Sequence, residues 1–339
     1  MIEVDGSAGE GGGAVLRNAL AISAATGQPV RVRNIRANRT GPGLKHQHLA
    51  GALAIAEICG ARASGLSLGS TEVAFEPGPV KAGEFAFDVG TAGSVTLVLQ
   101  TLLPALAFAP SEVRLRISGG TDVPWSPPAD YFGLVLFPLL ARMGLQAEIR
   151  ILKRGFYPKG GGEIEARFAP AGSLLPLALS ERGGLRAIRG VSVAGSLPAN
   201  VAERQAAAAE RLLAADGFER HIARETCVTP SPGSSLVLAA EFEGGALGAS
   251  SLGARGKPAE RVGEEAAMEL SAALRSGAGI DAHAADQLLA FCFLAQGESR
   301  FTTPLWSSHA ETNAAVARQF INREINVERA GGLARVRIL

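Results

Sequence analysis

Apolar and polar positions along this chain follow two periods, and the switches between them mark its elements. Ile2 to Val4 and Val30 to Ile35 alternate with period two and predict strands, whereas Val15 to Ala25 and Lys45 to Cys59 repeat at helical spacing, the second stopped by Gly60. Short strands near Ala63 to Leu68 and Glu72 to Phe75 complete a β-α-β-α-β-β order. The order then returns: a strand at Phe85 to Val89, a helix from Thr91-Ala92-Gly93-Ser94 to about Ala107, and a strand at Val113 to Ile117. A helix follows from Pro127 to Met143, because proline suits a first helical turn, and strands at Ala147 to Ile151 and Glu163 to Phe168 close the unit.

A third copy emerges when an insertion is removed. It comprises a strand at Leu174 to Leu179, a helix at Ala282 to Ala295, a strand at Arg300 to Thr303, a helix at Ala310 to Phe320, and strands at Asn322 to Val327 and Ala334 to Leu339. The intervening stretch has its own runs, strand-like at Gly190 to Val193 and Leu236 to Phe242, helical at Ala202 to Asp216 and Glu260 to Arg275. We therefore expect an α/β fold of the α+β type. Residues 1–182 form the first part of a large domain, 183–279 a smaller α/β domain threaded into the third unit, and 280–339 the last part of the large domain. Repeated units of this kind bury one sheet face under helices and gather the helix N-termini, which brings Gly9 to Gly13, Gly120 and His309 toward one cleft.

Composition narrows the class. The 339 residues are 47% hydrophobic and 19% charged, a globular balance, and 33 basic against 32 acidic residues exclude a protein that coats nucleic acid by bulk charge. Any phosphate site must come from local clustering. Cys59, Cys227 and Cys292 form no CxxC pair, so neither a disulfide framework nor a zinc site is indicated. Met1 to Gly6 lacks the basic and apolar regions of a secretory signal, and the apolar run Val95 to Ala109 is interrupted by Gln100 and Pro104; we expect a cytoplasmic protein without a membrane span.

Candidate chemistry gathers at helix starts. Ser307-Ser308-His309-Ala310-Glu311 puts one imidazole between small hydroxyl residues and a helix, where the positive end of the macrodipole favours an anion beside the ring. An ordinary helix-start histidine is the alternative. Glu10-Gly11-Gly12-Gly13 permits close backbone approach to an anion, with Arg17 one to two turns on, yet it lacks both G-x-G-x-x-G spacing and a P-loop lysine; a tight turn accounts for it equally. Arg36, Arg39, Lys45, His46 and His48 crowd one turn and helix start, as phosphate recognition or as a solvated basic turn. Asp286 and Gln287 could hold a ribose or base, and Gln100 needs a partner if buried. No Ser-His-Asp order or HExxH motif favours a hydrolase.

Together, Asp5-Gly6-Ser7-Ala8-Gly9-Glu10-Gly11-Gly12-Gly13, Arg36-Ala37-Asn38-Arg39, Gly43-Leu44-Lys45-His46-Gln47-His48-Leu49, Gly119-Gly120-Thr121-Asp122, Gly155-Phe156-Tyr157-Pro158-Lys159-Gly160-Gly161-Gly162, Ala284-Ala285-Asp286-Gln287 and Ser308-His309-Ala310-Glu311-Thr312-Asn313 closely resemble the RNA 3′-terminal phosphate cyclase family, in order and over the whole chain. The resemblance implies ATP-dependent conversion of an RNA 3′-phosphate to a 2′,3′-cyclic phosphodiester, with a divalent metal, Mg2+ or Mn2+. His309 would attack the α-phosphorus of ATP to give a histidyl-AMP, the adenylyl group would pass to the RNA end as RNA-3′-pp-5′-A, and the 2′-hydroxyl would displace AMP. It also implies three units like those of enolpyruvyl transferases and a thioredoxin-like arrangement in the insert. Gln100, Pro127, His283, Ala284, Ala285, Asp286 and Gln287 would form the adenylate pocket; Arg17, Arg36, Arg39, Gln47 and His48 would lie round the phosphates, and Glu10 would contact the metal. His283 departs from the tyrosine frequent at its place. An enolpyruvyl transferase-like enzyme and a noncatalytic RNA-binding relative are the rival readings, and a homodimer stays open.

Overall fold

The computed structural model describes residues 1–214 and 219–339 as a mixed α/β fold containing four four-stranded sheets. In the first, β1 (Ile2–Asp5) pairs in parallel with β2 (Val30–Arg33), and β4 (Val73–Glu76) runs antiparallel to both β2 and β3 (Arg62–Ser64), giving the order β1-β2-β4-β3. Helices α1 (Gly13–Thr26) and α2 (His46–Cys59) lie in the two connections.

The second sheet repeats that pattern. Here β5 (Gly83–Asp88) is parallel to β6 (Val113–Gly119), and β8 (Gly162–Ala169) is antiparallel to β6 and to β7 (Gln146–Lys153). Its connections hold α3 (Val95–Leu106) and a helix built of α4 (Ala129–Tyr131), a π turn at Phe132–Leu136 and α5 (Phe137–Arg142), with the expected start after Pro127-Pro128.

The third sheet uses β9 (Ala178–Leu179), a shorter strand than Leu174 to Leu179 suggested, then skips the next segment of chain. The fourth sheet is made within that segment from β10 (Leu185–Gly195), β11 (Arg220–Cys227), β12 (Gly233–Phe242) and β13 (Ala246–Leu252), in the order β11-β10-β12-β13, together with α6 (Asn200–Leu213) and α7 (Ala259–Ser276). The helix expected at Ala202 to Asp216 is observed as far as Leu213; its expected end lies outside the described residues. Strands β11 and β13 escaped the pattern reading because β11 is a charged edge strand and β13 is built largely of small residues. The chain then returns through α8 (Ala282–Leu294), β14 (Ser299–Thr303), α9 (Ser308–Phe320), β15 (Ile325–Ala330) and β16 (Leu333–Ile338). Strand β14 is parallel to β9 and antiparallel to β16, which pairs with β15.

One apolar core joins the first three sheets, with Leu20, Ile55, Leu99, Phe132, Leu288 and Phe301 fully buried. A separate cluster, including Ile188, Leu236, Leu247 and Leu270, sits between the fourth sheet and its two helices. Among the described residues no helix is long and apolar enough to cross a membrane. Helix α1 packs on both α3 and α9, and α8 on α9, so the helix starts converge on one side of the large core.

Candidate active site

At that convergence lies a cleft of about 480 Å³. Arg17 and Asn18 of α1, Gln100 of α3, Trp125-Ser126-Pro127 of the loop before α4, and His283, Asp286 and Gln287 of α8 line it, closed by His309 and Asn313 of α9. Seven of the residues expected at the site therefore meet here: Arg17, Gln100, Pro127, His283, Asp286, Gln287 and His309.

The start of α9 is fastened from three sides. Ser307 is its N-cap, accepting from the Ala310 amide at 3.0 Å, and its hydroxyl donates to Asp286 Oδ1 at 2.6 Å. Asn313 Nδ2 donates to the Asp286 carbonyl at 3.1 Å, and Asn18 Nδ2 donates to Asn313 Oδ1 at 2.9 Å. Gly9 holds a φ of +59° and sits so close to α9 that a Cβ there would meet Thr312 Oγ1 at 2.2 Å. That approach delivers Glu10 to the imidazole: Glu10 Oε2 lies 2.9 Å from His309 Nδ1, and Ser308 Oγ donates to Glu10 Oε1. The half-exposed ring thus has Nδ1 engaged and Nε2 available.

The electrostatics favour an anion beside that ring. Arg17 stands in the cleft with burial as the only influence on its guanidinium, which is pushed down to about 10. Behind it, His48 is driven to about 3 by burial and then by Arg17, Arg36 and Lys45, so it is neutral at physiological pH. His48 Nδ1 accepts from the Lys45 amide at 3.2 Å, which leaves the proton on Nε2. Across the cleft, His283 is raised to about 9, first by its hydrogen bond with Glu269 at 3.2 Å. Asp286 is raised to about 6 by burial, opposed by Ser307 and the two histidines. Gln100 finds its partner in Gln287, Nε2 to Oε1 at 2.9 Å.

The remaining expected residues do not line the cleft, although Arg39 Nη2 comes within 3.9 Å of Glu10 Oε2. Ala284 and Ala285 are fully buried in the apolar core, because the helix face that presents His283, Asp286 and Gln287 to the cleft turns these two methyls inward. Arg36 donates to the carbonyls of Gly41 and Gly43 at 2.9 and 3.1 Å and so ties its own turn. Arg39 donates to the Glu10 carbonyl at 3.1 Å, and Gln47 accepts from the Ser94 amide at 3.3 Å. Among the described residues no three His, Cys, Asp or Glu side chains gather into a metal nest.

Several residues that build the cleft have roles that the sequence reading did not give them. Asn18, Ser307 and Asn313 are ordinary polar residues whose meaning lies in partners far along the chain. Asp281 caps α8 through the Ala284 amide and also accepts from Tyr131 Oη at 2.8 Å and the Gly248 amide at 2.8 Å. Its Asp-x-x-Ala position ahead of an apolar run was the one local signal available.

A family model described as RNA 3′-terminal phosphate cyclase matches residues 8–327. The chain is 48% identical over 339 residues to the RNA 3′-terminal phosphate cyclase of Ignicoccus hospitalis, covering 98% of this chain and 96% of that one. It is 48% identical over 334 residues to that of Methanopyrus kandleri, covering 96% and 95% of the two chains. With that of Archaeoglobus fulgidus it shares 47% identity over 328 residues, 97% of this chain and 98% of the relative.

Proposed function

Since the chain belongs to the RNA 3′-terminal phosphate cyclase family, we propose that it uses ATP to convert an RNA 3′-terminal phosphate to a 2′,3′-cyclic phosphodiester, with His309 as the nucleophile. The observation that carries this reading is an imidazole with one nitrogen held by Glu10 and the other, among the described residues, without a partner, at the mouth of a cleft that also holds a guanidinium with no ion pair among those residues. We further read residues 183–279 as a smaller inserted domain, a division supported by its separate core.

In the first step His309 Nε2 forms a bond to the α-phosphorus of ATP while the bond to the pyrophosphate oxygen breaks. Glu10, on Nδ1, orients the ring and stabilises the positive charge that develops on it. Arg17 offsets the phosphate charge. Asp286 and the Gln100–Gln287 amide pair supply the polar groups that a ribose and a base require, and Pro127 an apolar wall.

An oxygen of the RNA 3′-phosphate then takes the α-phosphorus as the N–P bond breaks. The neighbouring 2′-oxygen closes on the 3′-phosphorus, AMP leaves, and the hydroxyl proton passes to solvent. A phosphoramidate is reactive enough to transfer its adenylyl group to so weak a nucleophile. The residues present fit a divalent ion held by one carboxylate, Glu10, together with the nucleotide's phosphates, the usual mode for magnesium; such an ion would neutralise phosphate charge.

Incubation with α-labelled ATP and magnesium or manganese, followed by denaturation, tests the reading. It expects acid-labile, alkali-stable label on the wild-type chain and none on His309→Ala. Equal label on both chains, or none on either, defeats it.

A further inference from the structure

The segment between β9 and α8 reaches the cleft in two ways. Ser250 and Leu252, on β13, line it directly. The second route is a buried cluster of charge. Arg154, immediately after β7, is only 5% exposed, and its fork grips Glu225 of β11 with Nε to Oε1 at 3.0 Å and Nη2 to Oε2 at 2.6 Å. The same guanidinium binds Asp130 of α4, Nη2 to Oδ1 at 3.2 Å and Nη1 to Oδ2, and lies 3.6 Å from Asp122 Oδ2. Asp122 in turn accepts from Ser235 Oγ of β12 at 2.8 Å.

Asp122 and Asp130 bracket the stretch whose Trp125, Ser126 and Pro127 form one wall of the cleft. Within that stretch, Thr96 Oγ1 donates to the Pro127 carbonyl at 2.8 Å, but Trp125 stands 96% exposed at a φ of +63°. Among the described residues no hydrogen bond holds the indole; Ser126 Oγ donates to the Val123 carbonyl at 3.0 Å and the Ala129 amide to the Thr121 carbonyl at 2.9 Å, so the stretch is a closed turn that moves with its two ends.

Burying two carboxylates, with a third 39% exposed at the edge, round one cation is a poor way to gain stability, since desolvation offsets most of the attraction. Arginine's planar fork, by contrast, fixes direction. We propose that Arg154 and Glu225 are positioning residues for the nucleotide: they lock the fourth sheet to the Asp122–Asp130 stretch and hold Trp125-Ser126-Pro127 where ATP is received. The inserted segment thereby becomes a working part of the nucleotide site. This rests on the reading of the cleft as the ATP site.

The test uses the full chain. ATP affinity is measured by calorimetry and adenylyl transfer by KM and kcat. Glu225→Ala is expected to weaken ATP binding about tenfold, as when the competent arrangement falls to about a tenth of the population. KM rises accordingly, while kcat at saturating ATP stays within about twofold. Glu225→Gln, which keeps an acceptor, restores most of the affinity, and Arg154→Lys, which keeps charge without the fork, does not.

Unchanged ATP affinity in Glu225→Ala overturns the proposal, as does a lower melting temperature with affinity intact. A fall in kcat with KM unchanged does the same. Should the alanine variant fail to fold, Glu225→Gln set against Arg154→Lys makes the same comparison. If the parent binds ATP but never labels His309, the activity proposed above fails while the positioning role is still decided by the affinities.

Discussion

Replacing Arg17 by methionine should make the ligand-free protein more stable and its ATP complex much weaker. Burial brings this guanidinium from its ordinary 12.5 down to about 10, which at about 1.4 kcal/mol per pH unit corresponds to ~3 kcal/mol of destabilisation. Water entering the open cleft reduces the effective figure to roughly 1–2 kcal/mol. The sign is that of a depressed base: the penalty is present at every pH below about 10 and is relieved only as pH rises through that value. Methionine matches the length of the stem and removes the charge, so the penalty goes with it. The bound state reverses the balance, because a guanidinium and a phosphate about 4 Å apart at an effective dielectric constant of ~20 attract by ~4 kcal/mol. The ligand-free protein already carries the desolvation cost, which therefore does not offset this attraction, and Arg17→Met should lose roughly 100- to 1,000-fold in ATP affinity. Urea titration without ligand and calorimetric titration with ATP measure the two halves. A variant less stable than wild type, or one that binds ATP equally well, refutes the claim that Arg17 is a cation kept for an anion.

Three further outcomes follow from the same geometry. Glu10→Gln should slow self-adenylylation by about 10- to 100-fold in single-turnover assays, because the ring loses the carboxylate that orients it and steadies its charge; an unchanged rate would leave Glu10 without that role. Adenylylation should be supported between about pH 6, where Asp286 takes up a proton, and about pH 9, where His283 gives one up, and Asp286→Asn should abolish the acid limb. The linkage signs differ from those of ordinary groups: the raised Asp286 carboxyl lowers stability as pH climbs toward 6, whereas the raised His283 imidazole contributes stability below 6.5 that disappears through 9, both measurable by melting across that range. Gly13→Ala would put a methyl 2.2 Å from His48 Nε2 and 3.2 Å from Arg17 Nη1. We expect it to destabilise the protein by about 1–3 kcal/mol and to weaken ATP binding, with unchanged melting and binding as the contrary result.

Much of the fold was legible because burial leaves a local record. A helix packed on a sheet must repeat its apolar residues every three to four positions and a half-buried strand every two. Thus α1, α2, α7 and α9 stand close to where the pattern put them. Strands β11 and β13 left no such record, one being a charged edge and the other largely small residues buried on both faces. The helix-start motifs were equally legible, since capping and glycine turns are matters of a few consecutive residues.

What the chain could not disclose in one dimension is how those starts meet. Glu10 read as a metal contact, and only the tight approach of Gly9 to Thr312 also sets its carboxylate on His309. Arg36 read as a phosphate ligand, and only the folded turn shows its Nη1 engaged with the carbonyls of Gly41 and Gly43. Asn18 with Asn313, Tyr131 with Asp281, and Arg154 with Glu225 join residues from 71 to 295 positions apart. No periodicity registers such pairs, because periodicity reports which face of an element is buried and not which other element comes to cover it. Sequence alone determined most of the elements and their candidate chemistry; packing of α1, α3, α8 and α9 on one core decided which of those groups share a cleft.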